Sequence, residues 1–205
     1  ITWLDKRAQS QVEKIWQTYG SSQIREDTGL KLSSAYTLPK ILWLKENMPA
    51  LFDKAAKFLL PLDYINYRLT GNAVCDYTIA GGTMMFNVKE RKWEERLVSL
   101  CGLDTDKLPR VKVMGSFIGN LSKIAASELG LDVNTKVFLG GQDQKLAAIG
   151  SGIDGGTVTI SMGTASAISV LGGNVEVGEG FVKFALNDRE YIYEASVAAG
   201  SCVLT

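Results

Sequence analysis

Apolar residues recur at helical spacing up to about residue 152 and then give way to a strand-like alternation. From Arg7 to Thr18 a polar stretch carries Ala8, Val12, Ile15 and Trp16 on one helical face, which predicts an exposed amphipathic helix stopped by Gly20. A shorter helix is expected from Gln23 to Thr28, ending at Gly29. Pro39 suits the first turn of a helix whose apolar face is Ile41, Leu42 and Leu44. Pro49 opens another that runs through Phe52 and Ala56. Phe58-Leu59-Leu60 reads as a short buried strand, and Asp63 as the cap of a helix that ends at Gly71. Residues 73–88 are turn-rich. Further helices are predicted over Trp93–Cys101, and from Asn120-Leu121-Ser122 through Leu129 to Gly130. Val137-Phe138-Leu139 reads as a buried strand that runs into Gly140-Gly141-Gln142-Asp143-Gln144, with a helix from Lys145 to Ile149.

Beyond Gly155-Gly156 the β-branched run Thr157-Val158-Thr159-Ile160-Ser161 predicts a strand, Met162-Gly163-Thr164 a turn, and Ser166 to Leu171 its partner. Two more strands are expected at 181–186 and 190–196. The change of pattern near Gly152–Gly156 marks a boundary between a helix-rich unit, residues 1–152, and a strand-rich one, 153–205. Both ends of the chain read as cut from something longer.

Composition narrows the chemistry. With 46% hydrophobic and 21% charged residues among 205, the chain can fill a core and keep a solvated surface. A net charge of +0, from 22 basic and 22 acidic residues, leaves no chain-wide basic field, so no nucleic-acid partner is expected. No apolar run reaches the roughly 20 residues a bilayer requires, so no membrane partner is expected either. The absence of histidine removes Ser-His-Asp and Cys-His catalysis. With no CxxC pair it also removes ordinary zinc sites, so no protein-held metal site is expected. Proton handling would fall to Asp, Glu, Lys, Tyr or Cys. Cys75, Cys101 and Cys202 are odd in number and widely spaced, as reduced buried thiols of a cytoplasmic protein would be.

Three places could carry chemistry. The first is the strand, the glycine pair and Asp143 at the entrance to a helix. Paired glycines let backbone approach a ligand, and the helix dipole favours an ionised carboxylate there, able to take a proton from a hydroxyl. The same pattern also fits an Asp that only caps the helix. The second is Ser161-Met162-Gly163-Thr164 between two strands, about 20 residues after Asp143. Its backbone N–H groups and hydroxyl could hold phosphate oxygens, or it could be an ordinary hairpin turn. The third is Trp3-Leu4-Asp5-Lys6-Arg7, where an aromatic face, a carboxylate and a guanidinium could bind a polyol. Asp5 as a helix cap and Trp3 as packing is the alternative.

Together these stretches resemble the FGGY carbohydrate kinases. The resemblance runs through Trp3-Leu4-Asp5-Lys6-Arg7, then Tyr36-Thr37-Leu38-Pro39-Lys40-Ile41-Leu42-Trp43-Leu44-Lys45-Glu46-Asn47 and Leu60-Pro61-Leu62-Asp63-Tyr64. It continues through Tyr67-Arg68-Leu69-Thr70-Gly71, Asp76-Tyr77-Thr78, Ala80-Gly81-Gly82-Thr83 and Trp93, and ends with Gly140 to Gln144 and Ser161 to Thr164. It implies an α/β fold of the ribonuclease H-like, actin-like ATPase type, here incomplete. Residues 1–152 would be the later part of the family's N-terminal sugar-binding domain, and 153–205 the start of its C-terminal ATP-binding domain.

The resemblance further implies a kinase that phosphorylates a primary hydroxyl of a small sugar, a ketopentose such as D-xylulose, using ATP and Mg²⁺. Ribulose, gluconate, glycerol and a catalytically degenerate sugar-binding module are the alternatives. Asp143 matches the catalytic base. Gly163 and Thr164 match the second phosphate loop, and Trp3, Asp5 and Arg7 the segment near the sugar. Tyr36 falls where relatives place an aromatic near substrate, Gln144 adjoins the base, and Asp76 and Thr78 would be structural. A homodimer is compatible with this reading. The family's first phosphate hairpin, of Asp-x-Gly-Thr type, and its downstream adenine-binding part have no counterpart here, so this stretch alone would not be active.

Overall fold

The computed structural model describes residues 1–163, 166–175, 178 and 180–197. The first unit is helical at its outset, with α1 (Gln9–Tyr19), α2 (Ser21–Thr28), α3 (Thr37–Asn47), α4 (Pro49–Lys54) and α5 (Pro61–Thr70). Short strands then alternate with short helices: β1 (Val74–Asp76), α6 (Tyr77–Gly81), β2 (Phe86–Asn87), β3 (Lys92–Trp93) and α7 (Glu95–Leu100). After a 3-10 turn come β4 (Arg110–Lys112), β5 (Phe117–Asn120), α8 (Lys123–Leu129), β6 (Lys136–Phe138) and α9 (Asp143–Gly150). The second unit is β7 (Val158–Met162), β8 (Ser166–Gly172), β9 (Val182–Ala185) and β10 (Tyr191–Val197).

The four late strands form one antiparallel sheet in the order β7-β8-β10-β9. The strands of the first unit pair two by two: β1 with β4 in parallel, β2 with β3 and β5 with β6 antiparallel. Inward-facing residues of β9 and β10, Phe184, Tyr191, Ile192 and Tyr193, join the same core as Ile15, Ile24, Leu38, Met85, Phe86 and Leu97. One hydrophobic mass therefore holds the helices and the sheet together, and burial of such side chains is the main stabilising term. Gly29 shows how close the two parts come. It ends α2 with φ +73, its carbonyl accepts from Lys183 N–H at 2.9 Å, and a Cβ there would collide with the Lys183 carbonyl.

Several expectations shift. Phe58-Leu59-Leu60 is not a strand: the segment has no ladder partner, Phe58 N–H donates to Lys107 C=O at 2.9 Å, and the Phe58 ring packs 5.3 Å from Phe52. Its apolar side chains meet the core without a sheet, which composition cannot distinguish from a strand. The strand at Val137 is real but open. Phe138 is 57% exposed and lies edge-on to Phe117, because the two-stranded β5–β6 ladder has one uncovered face; only Leu139 beyond it is buried. Trp93 belongs to β3 rather than to a helix, since its indole N–H donates to Pro109 C=O at 2.7 Å and α7 begins two residues later. Asp63 stands inside α5 and accepts from Leu60 N–H at 2.9 Å, so the helix starts at Pro61. Residues 73–88 hold β1, α6 and β2 among their turns. Cys75 and Cys101 are buried free thiols, burial pushing Cys75 far up and Cys101 up to about 12; Cys202 lies outside the described residues.

Candidate active site

A cleft of about 1160 Å³ opens among the helices and the late sheet. One wall comes from the start of α3 and the irregular segment at 58–61, another from α6 and the turn after it, and the third from the sheet. Gln142, Gln144 and Lys145 line it where α9 begins.

Asp143 lies between these residues in sequence but is not itself among those that line the cleft. β6 and Leu139 lead into Gly140-Gly141, Gln142 takes the cap position, and Asp143 is the first residue of α9. Its carboxylate does not cap the helix in the ordinary way. Oδ1 accepts the N–H of Gln144 at 2.8 Å, and Oδ2 has no hydrogen bond among the described residues. The side chain is exposed, at the first turn of α9. An exposed carboxylate with a free oxygen, next in sequence to cleft-lining residues, can accept a proton from a hydroxyl that reaches it.

The loop before it is tightly held. Gln142 N–H donates to Thr78 Oγ1 at 2.9 Å, and Thr78 Oγ1 donates to Asp76 Oδ2 at 2.6 Å. Asp76 also accepts from Thr78 N–H at 2.8 Å and Ile79 N–H at 3.1 Å, so it caps α6. Burial pushes the Asp76 carboxyl up, and these hydrogen bonds pull it back. A Cβ on Gly141 would lie 3.1 Å from Met114 Cε, 3.3 Å from Thr78 Oγ1 and 3.4 Å from Asp76 Oδ2.

Of the sequence-predicted substrate residues, Trp3, Tyr36 and Gln144 line the cleft. Trp3 is 61% exposed, an indole face turned to solvent at the cleft mouth. The Tyr36 phenol is pushed up by burial and next by the charge of Glu194 across the cleft. Asp5 and Arg7 do not line it; they satisfy each other. Asp5 Oδ1 accepts from Arg7 N–H at 2.9 Å, Oδ2 from Arg7 Nε at 2.8 Å, and the guanidinium lies over Trp43 at 4.9 Å. The hydrogen bonds from Arg7 hold the Asp5 carboxyl low, and its charge reaches Lys40, which does line the cleft. Gly163 occupies the exposed bend after β7, whose last residue, Met162, pairs with the cleft-lining Ser166; β7 packs on α9. Thr164 lies outside the described residues.

The structure adds residues that the sequence does not announce. Lys145, 1% exposed, forms a 2.7 Å ion pair with Glu194 of β10 and sits 4.0 Å over the Phe184 ring. Burial pulls the Lys145 ammonium down, opposed by Glu194 and by the charge of Asp143. The Gln142 side-chain carbonyl is buried at the cleft with no partner among the described residues. A lysine two positions after a carboxylate in an apolar helix start is a local hint; its partner 49 residues away leaves none.

Residues 1–150 match the family described as "FGGY family of carbohydrate kinases, N-terminal domain", and the chain belongs to that family. It is 32% identical to the xylulose kinase of Staphylococcus xylosus over 205 residues, covering 98% of this chain and 42% of that one. It is 31% identical to the L-fuculokinase of Escherichia coli (strain K12) over 176 residues, covering 86% and 37%. The crystal structure of ligand-bound xylulose kinase from Lactobacillus acidophilus superposes with a TM-score of 0.91 at 29% identity, over 99% of this chain and 42% of that one. The fold is thus the ribonuclease H-like, actin-like ATPase type of the FGGY sugar kinases. The chain spans about two fifths of the length of these relatives.

Proposed function

We propose that the full-length protein carrying this chain is a kinase that transfers the γ-phosphoryl group of ATP to a primary hydroxyl of a small sugar, a ketopentose such as D-xylulose. The observation that carries this reading is Asp143, exposed, with a carboxylate oxygen unpartnered among the described residues, next in sequence to Gln142 and Gln144, which line a cleft together with Trp3 and Tyr36. Likeness to xylulose kinases supports the choice of sugar. Residues 1–152 then belong to the sugar-binding domain and 153–205 to the ATP-binding domain, and the protein works in the cytoplasm, where ATP is available.

Trp3 covers a C–H face of the sugar, the Tyr36 hydroxyl and the Gln144 amide meet its hydroxyls, and the Asp5–Arg7 pair braces the segment that carries Trp3. Asp143 takes the proton as the sugar oxygen attacks the γ-phosphorus, and the bond to the leaving ADP oxygen breaks. Backbone at Gly163, with Thr164, holds phosphate oxygens. Mg²⁺ would ride chiefly on the nucleotide phosphates. Its part is to neutralise charge on the transferring group. Closure of the cleft keeps water from replacing the sugar as acceptor.

Likeness to an L-fuculokinase favours a second reading, in which the acceptor is another small sugar, sugar acid or polyol. A panel of D-xylulose, ribulose, L-fuculose, gluconate and glycerol, read as ADP release by the full-length protein, tests both. Strong stimulation by D-xylulose is expected. Stimulation by a different member moves the substrate. Sugar binding without ADP release from any of them leaves a non-catalytic binding module and ends the kinase reading.

A further inference from the structure

We propose that Thr78 and Asp76 are positioning residues for the reaction, fixing Asp143 through the backbone of Gln142. The inference rests on Asp143 being the base. The two residues lie 64 and more positions upstream of the loop they hold, on a different helix.

The hydrogen-bond direction is forced. A backbone N–H can only donate, so Thr78 Oγ1 accepts from Gln142 at 2.9 Å. The hydroxyl has one hydrogen, and it points at the Asp76 carboxylate 2.6 Å away. Asp76 in turn is held by the N–H groups of Thr78 and Ile79 at the start of α6, and both Asp76 and Thr78 are fully buried. A charge-assisted bond of this kind is short and directional, and the Thr78 oxygen cannot swing away without breaking it.

Gln142 is held on its other side too. Its carbonyl accepts from Lys145 N–H and Leu146 N–H, both at 3.0 Å, which begins α9. Gln142, the residue before Asp143, is thus pinned to α6 by its N–H and to α9 by its C=O. Gly141 has an ordinary φ; what demands glycine there is contact, since a Cβ would press on Met114, Thr78 and Asp76 together. The loop is therefore packed down onto the hydroxyl and the carboxylate, and the base follows one residue later. Among the described residues the exposed Asp143 carboxylate has one hydrogen bond, accepted from Gln144 N–H, so its placement depends on the backbone that carries it. Reacting groups must be held close to their productive geometry, and a displacement of about 1 Å can lower turnover on the order of 100-fold.

The test compares Thr78→Val, Thr78→Ser and Asp143→Asn in the full-length protein with the sugar that the substrate panel selects. Thr78→Val keeps shape and removes the acceptor. It is expected to lower kcat on the order of 100-fold, with both KM values within about threefold of wild type. Thr78→Ser is expected to restore kcat. Hydrogen exchange in the peptide spanning residues 139–146 should quicken in Thr78→Val while the rest of the protein stays protected. Should Thr78→Val fail to fold, Gly141→Ala lifts the same loop from the other side and is read in the same way. Wild-type kcat in Thr78→Val beside an inactive Asp143→Asn overturns the positioning role and leaves the base intact. A kcat that falls only in step with folded protein, and that Ser does not repair, is a merely structural role and also overturns it. Turnover surviving in Asp143→Asn overturns the base assignment itself, and this inference with it.

Discussion

Asp63 is 1% exposed in α5, with its carboxyl pushed up to about 6, chiefly by burial, against a hydrogen bond from Leu60 N–H. Its Oδ1 has no hydrogen-bond partner among the described residues. In the unfolded chain this group titrates near 3.8. Between about pH 4 and pH 6 the folded state therefore holds a proton that the unfolded state has lost. Stability contributed by this group falls as pH rises through that window and is gone above it. About two units of difference corresponds to roughly 2–3 kcal/mol. Asp63→Asn should flatten this part of the profile: urea midpoints at pH 4 and pH 7.5 should favour the variant over wild type by about 2 kcal/mol more at the higher pH. Parallel profiles would show that Asp63 titrates alike in both states. At the same scale, Asp143 was legible as chemistry because a strand end, paired glycines and a helix start surround it. Thr78 and Asp76 were legible only as a motif, since nothing local says that the hydroxyl of one helix will accept an N–H from a loop 64 residues on.

Helices read well from the chain where punctuation and periodicity agree. Gly20, Gly29, Gly71 and Gly130 follow the ends of α1, α2, α5 and α8 as expected. Ser122 caps α8 by accepting Ala125 N–H at 3.1 Å, and Ser122→Ala should cost about 1 kcal/mol in denaturant unfolding; no loss would mean that water or a neighbour replaces the cap. Short apolar runs read less well. Phe58-Leu59-Leu60 and Val137-Phe138-Leu139 look alike in sequence, yet one packs as irregular backbone and the other makes an exposed ladder, because the outcome depends on a partner strand far away in the chain. The late strands were legible in number and place because antiparallel neighbours joined by short turns carry their own alternation.

At the scale of the molecule, the two units are tied at places that no local pattern reveals. Lys145 and Glu194 join α9 to β10 through a buried ion pair two residues after Asp143. Removing one partner of such a pair leaves an uncompensated buried charge, so Glu194→Leu should lower stability by about 3 kcal/mol, while Lys145→Met combined with Glu194→Leu should recover most of it. Equal stability of single and double variants would mean that the pair is solvated. Gly29 faces the backbone of Lys183 with positive φ, and Gly29→Ala should cost at least about 2 kcal/mol by prying the sheet from α2.

These contacts frame a cleft beside the start of α9, where Asp143 is proposed to take the sugar's proton. Sugar-dependent ADP release by full-length Asp143→Asn, alongside its thermal melt, is the decisive measurement. An unchanged melt with turnover lowered by a factor on the order of 100 to 10,000 is expected. Turnover close to wild type from a folded variant would rule Asp143 out as the base.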